Sequence, residues 1–252
     1  MLNNKVIVVT GAGSGIGRAT CLVLAKAGAK VLVTSHSEAN ARETAAMVEK
    51  AGGVAKALRA DVSNEDDVIA MVDFAVETFG RLDGAFNNAG ITLHNKLVED
   101  LDASEWDQVM DVNLKGIFYC MKHETRAMRK TGGGAIVNNS SVNGLVGIPC
   151  SAGYVASKHG VIGLTRGAAC DAAVTGVRVN AVLPGMIRTP MIAALIATPD
   201  FKAIYDETLA RHTVGRIGEP EDVGYAVKWL LSDEASFMNG AAICVDGGYT
   251  AR

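Results

Sequence analysis

Lys5-Val6-Ile7-Val8-Val9-Thr10-Gly11-Ala12-Gly13-Ser14-Gly15-Ile16-Gly17 is the stretch whose reading decides the fold. Its first half is a β-branched run of strand length, apolar without alternation, as a parallel strand buried on both faces requires. Its second half is a glycine turn. Apolar positions at helical spacing follow (Ile16, Ala19, Val23, Leu24, Ala27) and stop at Gly28. Strand, glycine turn and helix N-terminus in that order make a cradle for a pyrophosphate, because unpaired amides and the positive dipole end face the anion. Gly11, Gly15 and Gly17 let backbone approach such a ligand and let helix pack close to strand. The spacing is G-x-x-x-G-x-G rather than G-x-G-x-x-G, and a tight strand–helix connection without a ligand would use the same residues.

The same alternation continues outward from that stretch. Lys30–Thr34, Val54–Leu58, Leu82–Phe86, Ala135–Asn139, Val177–Val182 and Ala241–Val245 read as strands. Between them lie helical patterns from about Glu38 to Lys50, from the capping sequence Ser63-Asn64-Glu65-Asp66 to Phe79-Gly80, and from roughly Ser104 to Lys130. Further helices include Tyr154 and begin near Thr189-Pro190 and Pro220. Alternation throughout predicts an α/β class: a doubly wound, Rossmann-type, mostly parallel sheet with helices on both faces, in a single domain over residues 1–252. Ligands of such sheets bind beyond the carboxyl ends of the strands at the switch point, where the polar clusters of this chain fall.

Composition agrees and excludes several functions. A length of 252 residues with 49% hydrophobic and 20% charged residues suits one soluble α/β domain with a sizeable core. A formal net charge of -3 gives no reason to expect nucleic acid or an anionic membrane as partner. There is no apolar run of transmembrane length, and Met1 to Lys5 leads into a strand rather than a signal peptide. Cys21, Cys120, Cys150, Cys170 and Cys244 are odd in number and lack metal-ligand or C-x-x-C spacing. Free thiols and a cytoplasmic location are expected, and no metal.

Chemistry is expected in Ser140-Ser141 through Lys158. Tyr154 and Lys158 are four residues apart in a helical segment and share a face. A phenol ordinarily titrates near pH ~10, and an adjacent ammonium stabilises the phenolate. Such a pair moves protons near neutrality when a third group holds the substrate oxygen. Ser141, delivered to a strand tip by Ala135–Asn139, is a candidate for that group. Taken alone, Tyr-x-x-x-Lys occurs on many ordinary helices.

Thr10-Gly11-x-x-x-Gly15-x-Gly17, Asn87-Asn88-Ala89-Gly90, Asn113, Ser141, Tyr154-x-x-x-Lys158 and Pro184-Gly185 occur together and in order. In this the chain resembles the short-chain dehydrogenases/reductases of single-domain type, from Lys5 to Tyr249. The resemblance implies NAD(P) as cofactor and an oxidoreductase acting on a secondary alcohol/ketone pair. It makes Tyr154 the general acid/base, Lys158 its tuning cation and ribose ligand, Ser141 the group orienting the substrate oxygen and Asn113 the support of a water-linked proton path. Ser140 is set aside, since Ser141 has the family's interval to the tyrosine. Cofactor contacts are implied for Gly11, Ser14, Gly15, Ile16, Gly17, Asp61, Val62, Asn87, Ala89, Gly90, Pro184, Gly185, Ile187 and Thr189. Asn113 has a second reading as a residue that satisfies backbone at a helix irregularity, to which the resemblance prefers the catalytic one. Thr189 has a second reading as a helix cap, compatible with the first.

The second strand ends in Ser35-His36-Ser37 rather than in an acidic residue, which leaves no carboxylate to repel a 2′-phosphate and offers hydroxyls and an imidazole as its contacts, favouring NADP(H) over NAD(H). Met191–Ile196, within a lid expected at about residues 188–215, is apolar. That suggests a hydrophobic, cyclic or bulky substrate, with Met191 and Asn143 as contacts beside Ser141 and Tyr154. His94 reads as a solvated loop histidine near the substrate side; it, His123, His159 and His212 have no ligand-like spacing. A carrier-protein-linked 3-oxoacyl reductase, with Arg126, Arg129 and Lys130 facing an acidic carrier, is one alternative; a non-catalytic dinucleotide-binding regulator is another. Apolar residues around much of Val112–Met128 and of the helix after Tyr154 predict a homo-oligomer, which the resemblance makes a tetramer.

Overall fold

The computed structural model describes residues 1–93, 96–196 and 199–251; His94 lies outside them. Seven strands form one sheet: β1 (Val6–Val9), β2 (Lys30–Ser35), β3 (Val54–Arg59), β4 (Gly84–Asn87), β5 (Gly134–Asn139), β6 (Val177–Pro184) and β7 (Ala242–Val245). Their spatial order is β3-β2-β1-β4-β5-β6-β7, and every pairing is parallel. The chain therefore winds outward from β1, returns to β4 on the other side of β1, and winds outward again. Crossovers on opposite faces leave a crevice at the β1/β4 tips.

Strand alternation divides the core in two. Ile7, Val9, Val31, Val33, Phe86, Val137 and Val182 face α1 (Gly15–Lys26), α2 (Glu38–Lys50) and α9 (Pro220–Leu231). Val6, Val8, Leu32, Ala85, Ile136 and Val179 face α3 (Glu65–Phe79), α5 (Gly116–Arg129) and α6 (Ala152–Ala172). The central strands are apolar on both faces because helices cover both.

Two helix expectations are revised. The helix that opens α3 is capped by Asn64, whose Oδ1 accepts the Asp66 and Asp67 amide hydrogens, while Ser63 donates instead to Asp61. The long helix expected from Ser104 to Lys130 is α4 (Ala103–Met110), a π turn over Asp111–Lys115, and then α5. The widened turn seats Asn113, fully buried, at its middle. Beyond β6, α7 (Pro190–Ile196) and α8 (Pro199–Arg211) stand where the lid is expected.

Candidate active site

The glycine turn after β1 fits a phosphate group. Gly11 has φ +61°, and a Cβ there would lie 2.7 Å from Ala89 Cα; at Gly17 it would lie 2.6 Å from the Gly11 carbonyl oxygen. The N-cap of α1, Ser14, makes no side-chain cap hydrogen bond, and the first turn holds no acidic residue. The amides at this helix end thus face the crevice unneutralised, as an anion site needs.

A cleft of about 210 Å³ opens there, lined on one side by Gly11, Ser14, Gly15, Ile16, Asn88, Ala89, Gly90 and Ile91. Asn139, Ser140, Ser141, Tyr154 and Lys158 form a second wall, and Pro184, Gly185, Ile187, Thr189, Pro190, Met191 and Ile192 a third. Among the expected site residues, the strand-tip and glycine-turn sets therefore converge.

On the second wall each buried polar group has a defined task. Lys158 Nζ donates to the Asn139 carbonyl at 2.8 Å and lies 5.6 Å from the Tyr154 ring centroid. Ser140 Oγ donates to the Lys158 carbonyl at 2.8 Å, which removes it from chemistry. Ser141 Oγ accepts the Asn143 amide hydrogen at 3.1 Å and hydrogen-bonds the Tyr154 phenol. The serine expected to work is the one left facing the tyrosine.

The electrostatics differ from the simple expectation of an acidified phenol. Burial raises the Tyr154 phenol above its ordinary range, and the Ser141 hydrogen bond only partly offsets this. Burial also lowers Lys158 to about 8. The ammonium lies beneath the ring, and both groups are desolvated, so each disfavours its own charged form. Tyr154 is consequently a protonated acid at neutral pH.

Asn113 stands behind this wall. Its Oδ1 accepts the Ile91 amide hydrogen at 2.8 Å, and its Nδ2 donates to the Ile91 carbonyl at 2.9 Å and to Ser157 Oγ at 3.2 Å. A Cβ on Gly90 would meet Asn113 Oδ1 at 3.3 Å and Lys158 Nζ at 3.6 Å, so Gly90 lies between the two. The helix irregularity thus lies directly behind the wall that carries Lys158.

Several expected residues stand elsewhere. Asn87 does not line the cleft; its Nδ2 donates to Glu124 Oε2 at 3.0 Å and to Asn138 Oδ1 at 3.1 Å beneath the sheet. Asn88 takes the cleft position and donates to the Thr10 and Gly11 carbonyls at 2.9 and 3.2 Å. Strand alternation puts consecutive side chains on opposite sides, and this signal could have separated the two asparagines. Asn143 serves Ser141 through its backbone amide, and its side chain is not in the cleft wall. Asn139, Pro190 and Ile192 line the cleft without having been singled out. Thr189 both lines the cleft and accepts the Ile192 amide hydrogen at 3.4 Å, so it caps α7 as well.

The adenine-side candidates cluster at the tips of β2 and β3. Ser35 is buried and accepts from the Ser37 amide, Ser37 caps α2, and His36 is exposed. Val62 is buried against Gly116. Ser63 holds the Asp61 carboxyl below its ordinary range, helped by Arg59 and His36. Arg18 and Arg59 are nearby cations, paired with Glu43 and Asp67. Arg126, Arg129 and Lys130 lie where α5 ends before β5 begins, at the sheet edge opposite the cleft. No group of three metal-ligating side chains occurs among the described residues, and none of their helices is long and apolar enough to cross a membrane.

Comparison with known proteins gives one consistent picture. Residues 11–250 match a family model described as enoyl-(acyl carrier protein) reductase. Cyclohexanol dehydrogenase of Acinetobacter sp. (strain SE19) is 46% identical over 250 residues, covering 99% of this chain and 96% of that protein. A 2,5-dichloro-2,5-cyclohexadiene-1,4-diol dehydrogenase of Sphingobium indicum is 43% identical over 251 residues, covering 99% and 98%. The crystal structure of levodione reductase superposes with a TM-score of 0.95 at 38% identity, covering 99% of this chain and 98% of that one.

Proposed function

The chain belongs to the short-chain dehydrogenase/reductase family, whose members use a nicotinamide dinucleotide, and from that premise we propose that it interconverts a cyclic or bulky secondary alcohol and its ketone. The observation that carries this reading is the convergence of Ser141, Tyr154 and Lys158 on one cleft wall, across from the bare N-terminus of α1. Relatives named for cyclohexanol, a chlorinated cyclohexadienediol and levodione support the cyclic class.

The dinucleotide, when bound, exchanges the hydride. Gly11, Ser14, Gly15 and Ile16, with Gly17 packed behind them, would hold its pyrophosphate; Ala89, Gly90, Pro184, Gly185, Ile187 and Thr189 would hold its nicotinamide side. Ser141 orients the substrate oxygen. Tyr154 gives that oxygen a proton in reduction and takes one in oxidation. Lys158, anchored on the Asn139 carbonyl, tunes the phenol and binds the ribose, and Asn113 supports the proton path behind it. Because Tyr154 is held protonated, ketone reduction has its acid ready at neutral pH. Alcohol oxidation needs the phenolate, so its kcat/KM rises towards alkaline pH.

NADP(H) is preferred over NAD(H) in this reading, because β2 ends without a carboxylate of its own. The assembly is a homotetramer: Phe118 on α5 is 45% exposed, and Tyr225, Trp229 and Phe237 form a second exposed aromatic set. Sedimentation at the mass of one chain would remove the tetramer.

The function is tested by following nicotinamide absorbance with cyclohexanol, cyclohexanone and a series of acyclic secondary alcohols, with NAD(H) and NADP(H) in parallel. Turnover of cyclic substrates is expected. Dinucleotide binding without turnover of any alcohol or ketone would favour the regulator instead, and a higher kcat/KM with NAD(H) would reverse the cofactor preference.

A further inference from the structure

His212 is a buried histidine with no part in the chemistry above, being only 3% exposed just beyond the end of α8. Its two ring nitrogens face opposite requirements. Nδ1 lies 2.7 Å from the Thr208 carbonyl oxygen, which can only accept. Nε2 lies 3.2 Å from the Met186 amide, which can only donate. The ring is therefore neutral, with its hydrogen on Nδ1 and a lone pair on Nε2. Among ordinary side chains, imidazole is the one that donates from one ring edge and accepts at the other in a rigid plane.

Both partners matter by position. Thr208 is in the last turn of α8, so Nδ1 satisfies a carbonyl that the helix leaves unpaired. Met186 lies between Gly185 and Ile187, both of which line the cleft. The Met186 carbonyl is held as well, accepting the Gly218 amide hydrogen at 2.9 Å. Each end of this backbone unit is thus fixed, one by the imidazole and one by backbone. Gly185 makes the approach possible, since a Cβ there would stand 2.8 Å from Nε2. Tyr249 supports the ring at 5.2 Å between centroids. The neighbouring Asp246 carboxylate is occupied by the Gly248 and Thr250 amides and the Thr250 hydroxyl.

We propose that the neutral imidazole of His212 is a positioning residue for the dinucleotide site: by accepting the Met186 amide hydrogen it fixes the cleft-facing turn Pro184–Ile187 and ties that turn to the end of α8. The inference rests on the dinucleotide reading given above. A histidine that merely fills space would be replaced best by an apolar residue of similar size. A positioning histidine is replaced best by one that keeps the acceptor.

The test compares His212→Leu, which removes the acceptor, with His212→Gln, whose side-chain carbonyl reaches the Nε2 position. Dissociation constants of NADP(H) and NAD(H) are measured by fluorescence titration, and amide exchange of the segment around Met186 is followed in the cofactor-free proteins. His212→Leu is expected to weaken dinucleotide binding about 5–10-fold, the loss of one hydrogen bond. It should raise the cofactor KM more than it lowers kcat and speed exchange at Met186, and His212→Gln should recover most of each effect. Unchanged binding and exchange in His212→Leu would overturn the inference, as would a glutamine no better than leucine. If the leucine variant does not fold, His212→Asn, too short to reach Met186, takes its place with the same expectation and the same overturning result. Absence of dinucleotide binding by the unaltered protein sinks the functional reading itself; tight binding by it and by His212→Leu alike sinks this inference alone.

Discussion

The α6 wall and the lid wall of the same cleft are built differently. On the α6 side, Ser141 and Lys158 are 7% and 3% exposed, and Ser140, Lys158 and Asn113 each bond to backbone of another element. On the lid side, Met191 and Ile196 are 43% and 37% exposed, and the backbone is tied down near Met186 and Ile187 by His212 and Gly218 rather than along α7. The wall proposed to move protons is over-determined, while the wall proposed to touch the substrate's body is lightly held. Proton transfer tolerates little displacement, whereas recognition of an apolar ring asks for area and not for aim.

The largest expected contrast comes from Tyr154→Phe. Its kcat should fall by about 10³-fold, with dinucleotide affinity changed less than about threefold, as steady-state kinetics and fluorescence titration would show. Retained turnover would remove Tyr154 from the mechanism. Ser141→Ala should come next, with kcat down by roughly 10²-fold for loss of the group that orients the substrate oxygen. An equal loss of dinucleotide binding would mean that the wall had collapsed rather than lost a function.

A third buried group, away from both walls, separates burial for function from burial alone. Glu124 is fully buried, and burial pushes its carboxyl up to about 7 against the Asn87 hydrogen bond. Neither its Oε1 nor Asn87 Oδ1 has a hydrogen-bond partner among the described residues. A carboxyl raised on folding contributes stability that is full below its unfolded value and is lost as pH rises through about 7. Glu124→Gln should therefore leave stability nearly unchanged in acid. Above neutrality it should be more stable than the unaltered chain by on the order of 3 kcal/mol in denaturant titrations. Turnover should not change. A stability difference that does not vary with pH would show that the carboxylate is compensated by something else.

The smallest effect belongs to the lid. Met191→Ala should lower kcat/KM for cyclic ketones by about tenfold or less and affect small acyclic ones least. A uniform loss across substrates would place Met191 with the rigid wall, contrary to the contrast drawn above.

The fold was legible because the central parallel strands, covered on both faces, are apolar almost throughout, and such runs stand out between helical patterns. The adjacency of Tyr154 and Lys158 was legible because they share a helix, where spacing in sequence is spacing in space. Asn87 was expected beside the cofactor but bonds Glu124 and Asn138, and Asn88 lines the cleft, since a motif names residues but only strand register says which one faces the cleft. His212 was passed over because its partners, Thr208 and Met186, are an i−4 carbonyl and an amide 26 positions upstream, neither of which marks itself in sequence.

Sequence by itself determined the architecture, the glycine turn at the head of the first helix and the pairing of Tyr154 with Lys158 on one helix face, because each depends on local periodicity or on neighbours within one turn. Tertiary structure alone decided the charge states of that pair, the division of labour between Ser140 and Ser141, and the clamp on Met186. Desolvation and hydrogen-bond partnership are set by whatever elements pack around a group, and those elements come from distant parts of the chain.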